Sequence, residues 1–445
     1  AECLFVTSFY RNHMENLLTV IIQTSPLPSH PSTALLEALF RSFDRVKNLK
    51  ECNIIILCDG CDDEHSEQTR KTIENTETNI DEKSTTSDTK TNYKHGTVSQ
   101  STANNYQKHL QLLQEKIDKQ EDPFVSQQNG SIRLLKLPSR HGSARAIAAA
   151  FGILAIGTPY ILIGQHDNFF VRDIDYLQQL IKCMETESTK LWLQCVHFPS
   201  TATLNYVQKV QRRYKMDLEK YCKRFPKVDD TSNMSGTFIP LVFWYGRTHL
   251  ARTSYYTGAS CPSSTATVSI LGEFTLKAND HLEELWGTKQ LREIMELKKR
   301  AKDDATLVNR FCEIHAKYGN YVFFENGANG EIEQHEVLYH LSGRKVVASD
   351  ESPSDSHTSV IIEGNYQETN AFNPQANSFT QARRAVAVVP GLKIAPNPAR
   401  NSISKAKSRF RQNCFHCGEK GHSFKFCPCL NSKEQMPKTK ILDLS

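Results

Sequence analysis

Residues 53–60 read Asn53-Ile54-Ile55-Ile56-Leu57-Cys58-Asp59-Gly60. A short apolar, β-branched run that stops at an Asp-Gly turn predicts a buried strand over residues 53–57. A similar run covers residues 4–8. Between the two runs, apolar side chains recur at helical spacing, at Leu35, Leu36, Leu39, Phe40 and Phe43. Strand, helix and strand in this order form a βαβ unit, which implies a parallel sheet.

The same alternation continues along the chain. Runs of the strand type predict further strands at residues 132–137, 160–163, 191–198, 238–245 and 321–324. Helical patterns predict helices at residues 143–155, 173–184 and 282–302. We therefore expect residues 1–346 to form an α/β domain with a mostly parallel sheet and flanking helices.

Two stretches depart from this pattern. Residues 64–128 are rich in Thr, Ser, Asn, Lys and Gln, which predicts a mostly disordered, low-complexity insertion with a short helical patch at 106–117. Residues 349–407 are rich in Ser, Asn, Pro and Ala and become basic toward their end. We therefore predict a disordered basic linker over 347–410, a small module over 411–430 and a disordered tail over 431–445.

The composition narrows the classes of function. The 445 residues carry a net charge of +5 and are 39% apolar, so overall charge does not by itself imply a nucleic-acid partner. The apolar run at residues 17–22 is far too short to span a bilayer. Thirteen scattered cysteines do not form the dense framework of a secreted disulfide protein. We expect a cytoplasmic or nuclear location. The chain begins without Met, so a leader that preceded residue 1 would not be visible in this sequence.

Four candidate metal ligands stand close together near the end of the chain. They are Cys414, Cys417, His422 and Cys427, in the spacing C-x2-C-x4-H-x4-C. Three thiolates and one imidazole complete a tetrahedral zinc shell with no open position, so the zinc is expected to be structural. A segment this short cannot bury a core, so metal binding must supply a folding free energy on the order of 10 kcal/mol.

This segment resembles the CCHC zinc knuckle of the retroviral nucleocapsid type. Gly418 and Gly421 stand where the backbone must turn tightly around the metal. The resemblance implies that Phe415 and Phe424 form a platform for an unstacked base of single-stranded RNA or DNA. Nearby basic residues would hold phosphate: Arg409, Arg411, Lys420 and Lys425. Two alternatives stay open, a knuckle that binds protein and a fortuitous Cys/His cluster.

The first 200 residues resemble the nucleotide-sugar half of a family 2 glycosyltransferase with a GT-A fold. The matching pieces occur in the family's order, at residues 4–10, 54–62, 140–146 and 160–167. The resemblance implies a nucleotide-sugar donor. The positions that it assigns to donor binding are Ser8, Tyr10, Asp59, Arg140 and Gly142.

The resemblance also implies where the chemistry occurs. Asp167 stands in the family's D-x-D motif, where Mn²⁺ or Mg²⁺ bridges carboxylate and diphosphate. Gln165 occupies the first acidic position, which departs from the family pattern and leaves a single carboxylate. A catalytic general base is expected among later acidic residues, the candidates being Glu273, Asp280, Glu283 and Glu284.

Two functions are consistent with these patterns. In the first, the chain is a nucleotide-sugar-dependent transferase whose zinc knuckle tethers it to nucleic acid. In the second, the α/β domain is a non-catalytic scaffold, and the knuckle binds nucleic acid or protein. Gln165 favours the scaffold, whereas Asp59, residues 140–146 and Asp167 favour the enzyme.

Overall fold

The computed structural model describes residues 13–63, 97–127, 130–226, 234–258, 269–277, 280–301 and 303–341, together with four short strands between residues 346 and 394. The chain divides into two units, Ala1–Ala395 and Pro396–Ser445. The second unit lies outside the described residues. In the described ranges, no helix is long and apolar enough to cross a membrane.

A nine-stranded sheet forms the centre of the first unit, in the order β5-β2-β1-β6-β11-β8-β12-β10-β9. Its strands are β1 (Leu18–Thr24), β2 (Asn53–Cys58), β5 (Ile132–Lys136), β6 (Tyr160–Gln165), β8 (Cys195–His197), β9 (Lys223–Arg224), β10 (Gly236–Pro240), β11 (His249–Arg252) and β12 (Asn320–Glu325). Two short pairs stand apart from it, β3 (Asp62–Asp63) with β4 (Thr97–Val98) and β7 (Asn168–Phe170) with β13 (Leu338–His340). The strand pairings make β10 and β11 run against the other seven.

Helices cover both faces of this sheet. They are α1 (Met14–Leu17), α2 (Ala34–Ser42), α3 (Gln100–Asp118), α4 (Gly142–Ile153), α5 (Leu177–Glu185), α6 (Glu187–Lys190), α7 (Tyr206–Tyr214), α8 (Thr253–Thr257), α9 (Thr288–Arg300) and α10 (Asp304–Tyr318). The predicted fold class, an α/β domain with a mostly parallel sheet and flanking helices, is confirmed.

Alternate residues of the central strands supply two separate cores. Val20 and Ile22 on β1 pack with the apolar face of α2, whereas Ile21 packs with α4 on the opposite face. Side chains of a strand alternate between the two faces of its sheet, so a strand covered on both faces is apolar throughout. That burial explains the consecutive apolar residues at 20–22 in β1 and at 54–58 in β2.

The first strand of the βαβ unit differs from the prediction. Leu18–Thr24 pairs in parallel with both β2 and β6, and it precedes α2. The predicted strand at residues 4–8 lies outside the described residues. Most of the apolar run at 17–22, too short for a membrane span, is thus a buried central strand that begins at Leu18.

Part of the predicted insertion is ordered and packed. Helix α3 spans 19 residues and buries Tyr106, Leu110 and Leu113 in the core next to α2. It begins earlier than the predicted patch at 106–117, because Ser99 caps it: the Ser99 hydroxyl accepts a hydrogen bond from the Thr102 N–H. Similarly, two strand pairs occupy part of the predicted disordered linker: Val346–Ala348 with Leu392–Ile394, and Ser359–Val360 with Val389–Pro390.

The cap of α3 can be tested by substitution. Ser99→Ala is expected to lower the free energy of unfolding by about 1 kcal/mol, because an N–H group in the first turn of α3 loses its partner. Denaturant titration measures this difference. Gln107→Ala, on the exposed face of the same helix, is the control and should stay within about 0.5 kcal/mol of the wild type. Equal stability of Ser99→Ala and the control would contradict the capping role.

Candidate functional site

The order of the strands reverses next to β1, because β2 lies on one side of it and β6 on the other. Ligands of open α/β sheets bind outside the carboxyl ends of the strands at this point. A cavity of about 380 Å³ lies there, and we call it the switch-point cavity. Its polar lining consists mainly of Gln23, Ser143, Gln165, His281, Glu283 and Glu284.

One wall of the cavity presents two amides and a hydroxyl. Gln23 and Gln165 are neighbours in the register of β1 and β6. The Gln23 amide donates to the Ser143 carbonyl oxygen at 3.1 Å, and the Ser143 hydroxyl donates to Gln23 Oε1 at 3.4 Å. These bonds tie the end of β1 to the first turn of α4. The wall is therefore polar and uncharged, and such groups orient a ligand by hydrogen bonding.

The loop after β6 carries a connected set of side chains. Asn168 Nδ2 donates to Gln165 Oε1 at 3.1 Å and to Asp167 Oδ1 at 3.0 Å. His340 Nε2 lies 3.2 Å from Asp167 Oδ2, and the Leu341 N–H donates to the Asp167 carbonyl oxygen at 2.8 Å. Strand β13 pairs with β7 and ends at His340, and Leu341 follows it directly. Both carboxylate oxygens of Asp167 therefore have partners.

Asp167 is held in its charged form. Burial acts to raise the pKa of this carboxyl, but the hydrogen bond with His340 and the electrostatic interactions with His166 and His340 outweigh it, so the pKa lies below its usual value. Asp167 is consequently an anion at neutral pH, enclosed by donors.

The opposite wall supplies carboxylates. Glu283 opens a π-helical turn, Glu283–Gly287, of a kind often found at functional sites. Its Oε2 accepts a hydrogen bond from the Gly246 N–H at 2.9 Å. A Cβ atom at Gly246 would stand 3.1 Å from that oxygen, so glycine permits the close approach. Glu283 is half-buried, whereas Glu284 is exposed.

His249 lies at the buried end of the cavity as a neutral imidazole. Its Nε2 is 2.6 Å from the Tyr256 hydroxyl, and its Nδ1 is 2.6 Å from the Arg247 carbonyl oxygen. Burial lowers the pKa of His249 to about 4, and the bond to Arg247 opposes this only in part. His249 therefore contributes hydrogen bonding and no charge at neutral pH.

Asp59 makes its bonds within the protein. Its Oδ1 accepts from the His141 N–H at 2.7 Å, its Oδ2 accepts from the Gly142 N–H at 2.9 Å, and Arg140 Nη1 lies 3.7 Å from Oδ2. Burial raises the pKa of Asp59 despite these bonds and the Arg140 charge. Gly142 has φ of 76°, a backbone conformation that favours glycine. Asp59, Arg140 and Gly142, three predicted donor-binding residues, thus contact one another where α4 begins.

The other predicted site residues fall in different places. Glu273 pairs with Lys289, and Asp280 Oδ2 accepts from the Lys277 N–H at 2.7 Å. Neither belongs to the cavity lining, whereas their fellow candidates Glu283 and Glu284 do. Several predicted residues lie outside the described residues: Ser8, Tyr10, Arg409, Arg411, Cys414, Phe415, Cys417, Lys420, His422, Phe424, Lys425 and Cys427. Their roles stay predictions.

The donor set around Asp167 does not fit a divalent cation. Mn²⁺ and Mg²⁺ need several oxygen ligands around one point. Here a nitrogen, Asn168 Nδ2, stands between the oxygens of Gln165 and Asp167, and the second oxygen of Asp167 faces His340. Within the ranges that the structure describes, no group of three or more His, Cys, Asp or Glu side chains could hold a metal ion.

Comparison with known proteins adds little to this geometry. No family model matches the chain, and no curated protein matches it. A solved structure of UDP-glucose pyrophosphorylase complexed with UDP-glucose is similar over 68% of this chain and 98% of that chain, with 9% identity and a TM-score of 0.27. A TM-score this low carries no argument, so the inferences about this site rest on its own residues.

Proposed function

We propose that the α/β domain binds a nucleotide sugar in the switch-point cavity and transfers the sugar to an acceptor hydroxyl. The observation that carries this proposal is the convergence of two amides and two carboxylates at the carboxyl ends of β1 and β6. Amide and carboxylate groups match the hydroxyls of a sugar, because each hydroxyl both donates and accepts. The resemblance to family 2 glycosyltransferases supports the choice of donor.

Glu283 is the residue that we assign as general base. The Gly246 N–H fixes one of its oxygens, and Oε1 makes no hydrogen bond within the part of the chain that the structure describes. In the proposed step, Glu283 takes the proton from the acceptor hydroxyl as the acceptor oxygen bonds to the anomeric carbon. The bond from that carbon to the diphosphate breaks, and its electron pair leaves with the nucleotide.

Donor binding is tested by thermal unfolding of the full chain with UDP- and GDP-sugars. We expect a rise in melting temperature, since a ligand at one hundred times its Kd stabilises by about 2.7 kcal/mol. Gln165→Leu should weaken binding roughly three- to tenfold through the loss of a hydrogen-bonding group. Arg133→Ala is the control, because Arg133 lines a different cavity beside Asn53. A flat response to all uridine and guanosine nucleotides would favour the non-catalytic scaffold.

A second proposed function belongs to the C-terminal segment, namely zinc-dependent binding of single-stranded nucleic acid. The spacing of Cys414, Cys417, His422 and Cys427 supports the zinc site, and Phe415 and Phe424 support base stacking. Zinc is the cofactor of this proposal, and single-stranded RNA or DNA is its partner.

Substitution of the aromatic platform tests this function. Phe415→Ala in the full chain should weaken binding of a single-stranded oligonucleotide about five- to a hundredfold, since stacking contributes roughly 1–3 kcal/mol per base. Phe410→Ala, just outside the zinc-binding segment, is the matched control. Fluorescence anisotropy measures both, with and without a zinc chelator. Affinity that is unaffected by Phe415→Ala and by zinc removal would exclude nucleic-acid binding by the knuckle.

A further inference from the structure

We infer that Asn168 takes the place of a divalent cation in the loop after β6 and positions Gln165 for a ligand without metal. The inference deepens the proposed function, on which it rests for the identity of the ligand. It assigns Asn168 as a positioning residue, because Asn168 acts on the cavity through the side chain of Gln165.

The orientation of the Asn168 amide is determined by its neighbours. Nδ2 stands within hydrogen-bonding distance of two acceptors, Gln165 Oε1 at 3.1 Å and Asp167 Oδ1 at 3.0 Å. A flipped Asn168 amide would direct its oxygen at these two acceptor oxygens, which would repel it. Electrostatics therefore favours the nitrogen at this position. The side chain is 1% exposed, and its own oxygen is buried without a hydrogen-bond partner in the described structure. A buried acceptor without a partner costs free energy. The structure accepts this cost at Asn168 Oδ1, which indicates that the Nδ2 donor is the group that the site requires.

A cation would need the same two oxygens. Metal ions and N–H donors both seek oxygen lone pairs, so Asn168 Nδ2 and a cation compete for Gln165 Oε1 and Asp167 Oδ1. His340 meanwhile occupies the side of Asp167 Oδ2. The negative charge of Asp167 is therefore balanced from within the protein by an amide N–H and an imidazole.

The consequence for the cavity lies in Gln165. Because Gln165 Oε1 is turned toward Asn168, its Nε2 is the atom that remains for a ligand. Nε2 lies 4.0 Å from the position of a Cβ on Gly246, which also lines the cavity. Gln165 thus presents an N–H donor to a phosphate or sugar oxygen, at a position where an acidic residue would reach the ligand through a metal ion.

Binding of Mn²⁺ alone, without nucleotide, tests the inference on the full zinc-loaded chain. The wild type should show no Mn²⁺-dependent rise in melting temperature beyond that of Asp167→Asn. Asn168→Asp places a second carboxylate against Asp167, so it should be destabilised in buffer without added Mn²⁺ and regain stability when Mn²⁺ is added. Asn168→Leu, which adds no charge, is the matched control and should lose stability with no response to Mn²⁺.

Each outcome separates this inference from the proposed function. A wild-type response to Mn²⁺ that Asp167→Asn abolishes would overturn the inference, as would an Asn168→Asp variant that ignores Mn²⁺. If Asn168→Asp does not fold, the inference is tested by the wild type and Asp167→Asn alone. Electron paramagnetic resonance then compares the Mn²⁺ that each of the two proteins binds. A protein that binds neither Mn²⁺ nor any nucleotide sugar would refute the proposed donor and leave the role of Asn168 intact.

Discussion

Lowering the pH from 7 to 5 is expected to remove at least about 6 kcal/mol from the free energy of unfolding. Buried histidines cause this loss: burial lowers the pKa of His109, His249 and His315 to about 4, and it also lowers the pKa of His30 and His197. The unfolded chain binds their protons near the usual value of 6.5, whereas the folded chain excludes them. Stability is therefore full above pH 6.5 and falls as the pH drops toward 4, by roughly 2 kcal/mol per histidine at pH 5.

The surroundings of these histidines explain the shifts. His109 stacks on His30 with ring centroids 4.0 Å apart, so a proton on either ring opposes one on the other. His315 is 1% exposed, and its Nε2 is 3.1 Å from the Leu241 carbonyl oxygen. Asp59 acts in the opposite direction, because its raised pKa favours folding as the pH falls. A loss of this size approaches the whole stability of a typical domain, about 5–15 kcal/mol.

Urea titrations at pH 7 and pH 5 measure the effect. His109→Leu removes one titrating group, so about 2 kcal/mol of the loss should disappear. Gln107→Ala changes an exposed side chain that does not titrate and should leave the pH dependence as it is. A wild type equally stable at both pH values, or a His109→Leu variant with the full loss, would show that burial of these imidazoles is not the cause.

Glu283→Gln is expected to slow sugar transfer or donor hydrolysis about 10²- to 10⁴-fold, if Glu283 is the general base of the proposed function. Glutamine keeps an oxygen that can accept from the Gly246 N–H, so the π-helical turn and donor binding should persist. The release of nucleoside diphosphate from a UDP- or GDP-sugar measures the rate, and thermal unfolding with the same donor measures binding.

Glu284→Gln is the matched control for this variant. Glu284 lines the same cavity but is exposed, and we expect its substitution to change the rate less than tenfold. A large loss of rate in Glu284→Gln with a small one in Glu283→Gln would move the catalytic role to Glu284. Loss of donor binding in Glu283→Gln would assign that residue to binding and remove it from the chemical step.

The fold could be predicted where strands and helices carry strong local patterns. Strand β2 was predicted at 53–57 and extends to Cys58, and β6 was predicted at 160–163 and extends to Gln165. Strand β1 was missed, because a strand buried on both faces shows no alternation and resembles any short apolar run. The four-residue β11 is too short for periodicity, and its antiparallel place between β6 and β8 depends on contacts distant in sequence.

The site was predictable only in part, for a similar reason. The resemblance predicted site residues in the loop at 165–167 and among the acidic residues near 283. The loop and these residues lie at or beside the cavity. Asn168 and His340 carry no recognisable motif. Their importance follows from the pairing of β7 with β13, which joins segments far apart in the chain. Likewise, Asp59 was predicted to contact a donor, but in the structure its oxygens accept hydrogen bonds from the His141 and Gly142 N–H groups.

The two ends of the central sheet have a consequence for how the protein behaves at high concentration. Strand β9, at one end, is only the pair Lys223–Arg224, and β5, at the other, exposes Arg133 and Lys136. An unpaired strand edge invites association with another chain, and short edges with positively charged side chains resist it through charge repulsion and the lack of a long template. The sheet is therefore protected against edge-to-edge aggregation even though its centre is strongly apolar.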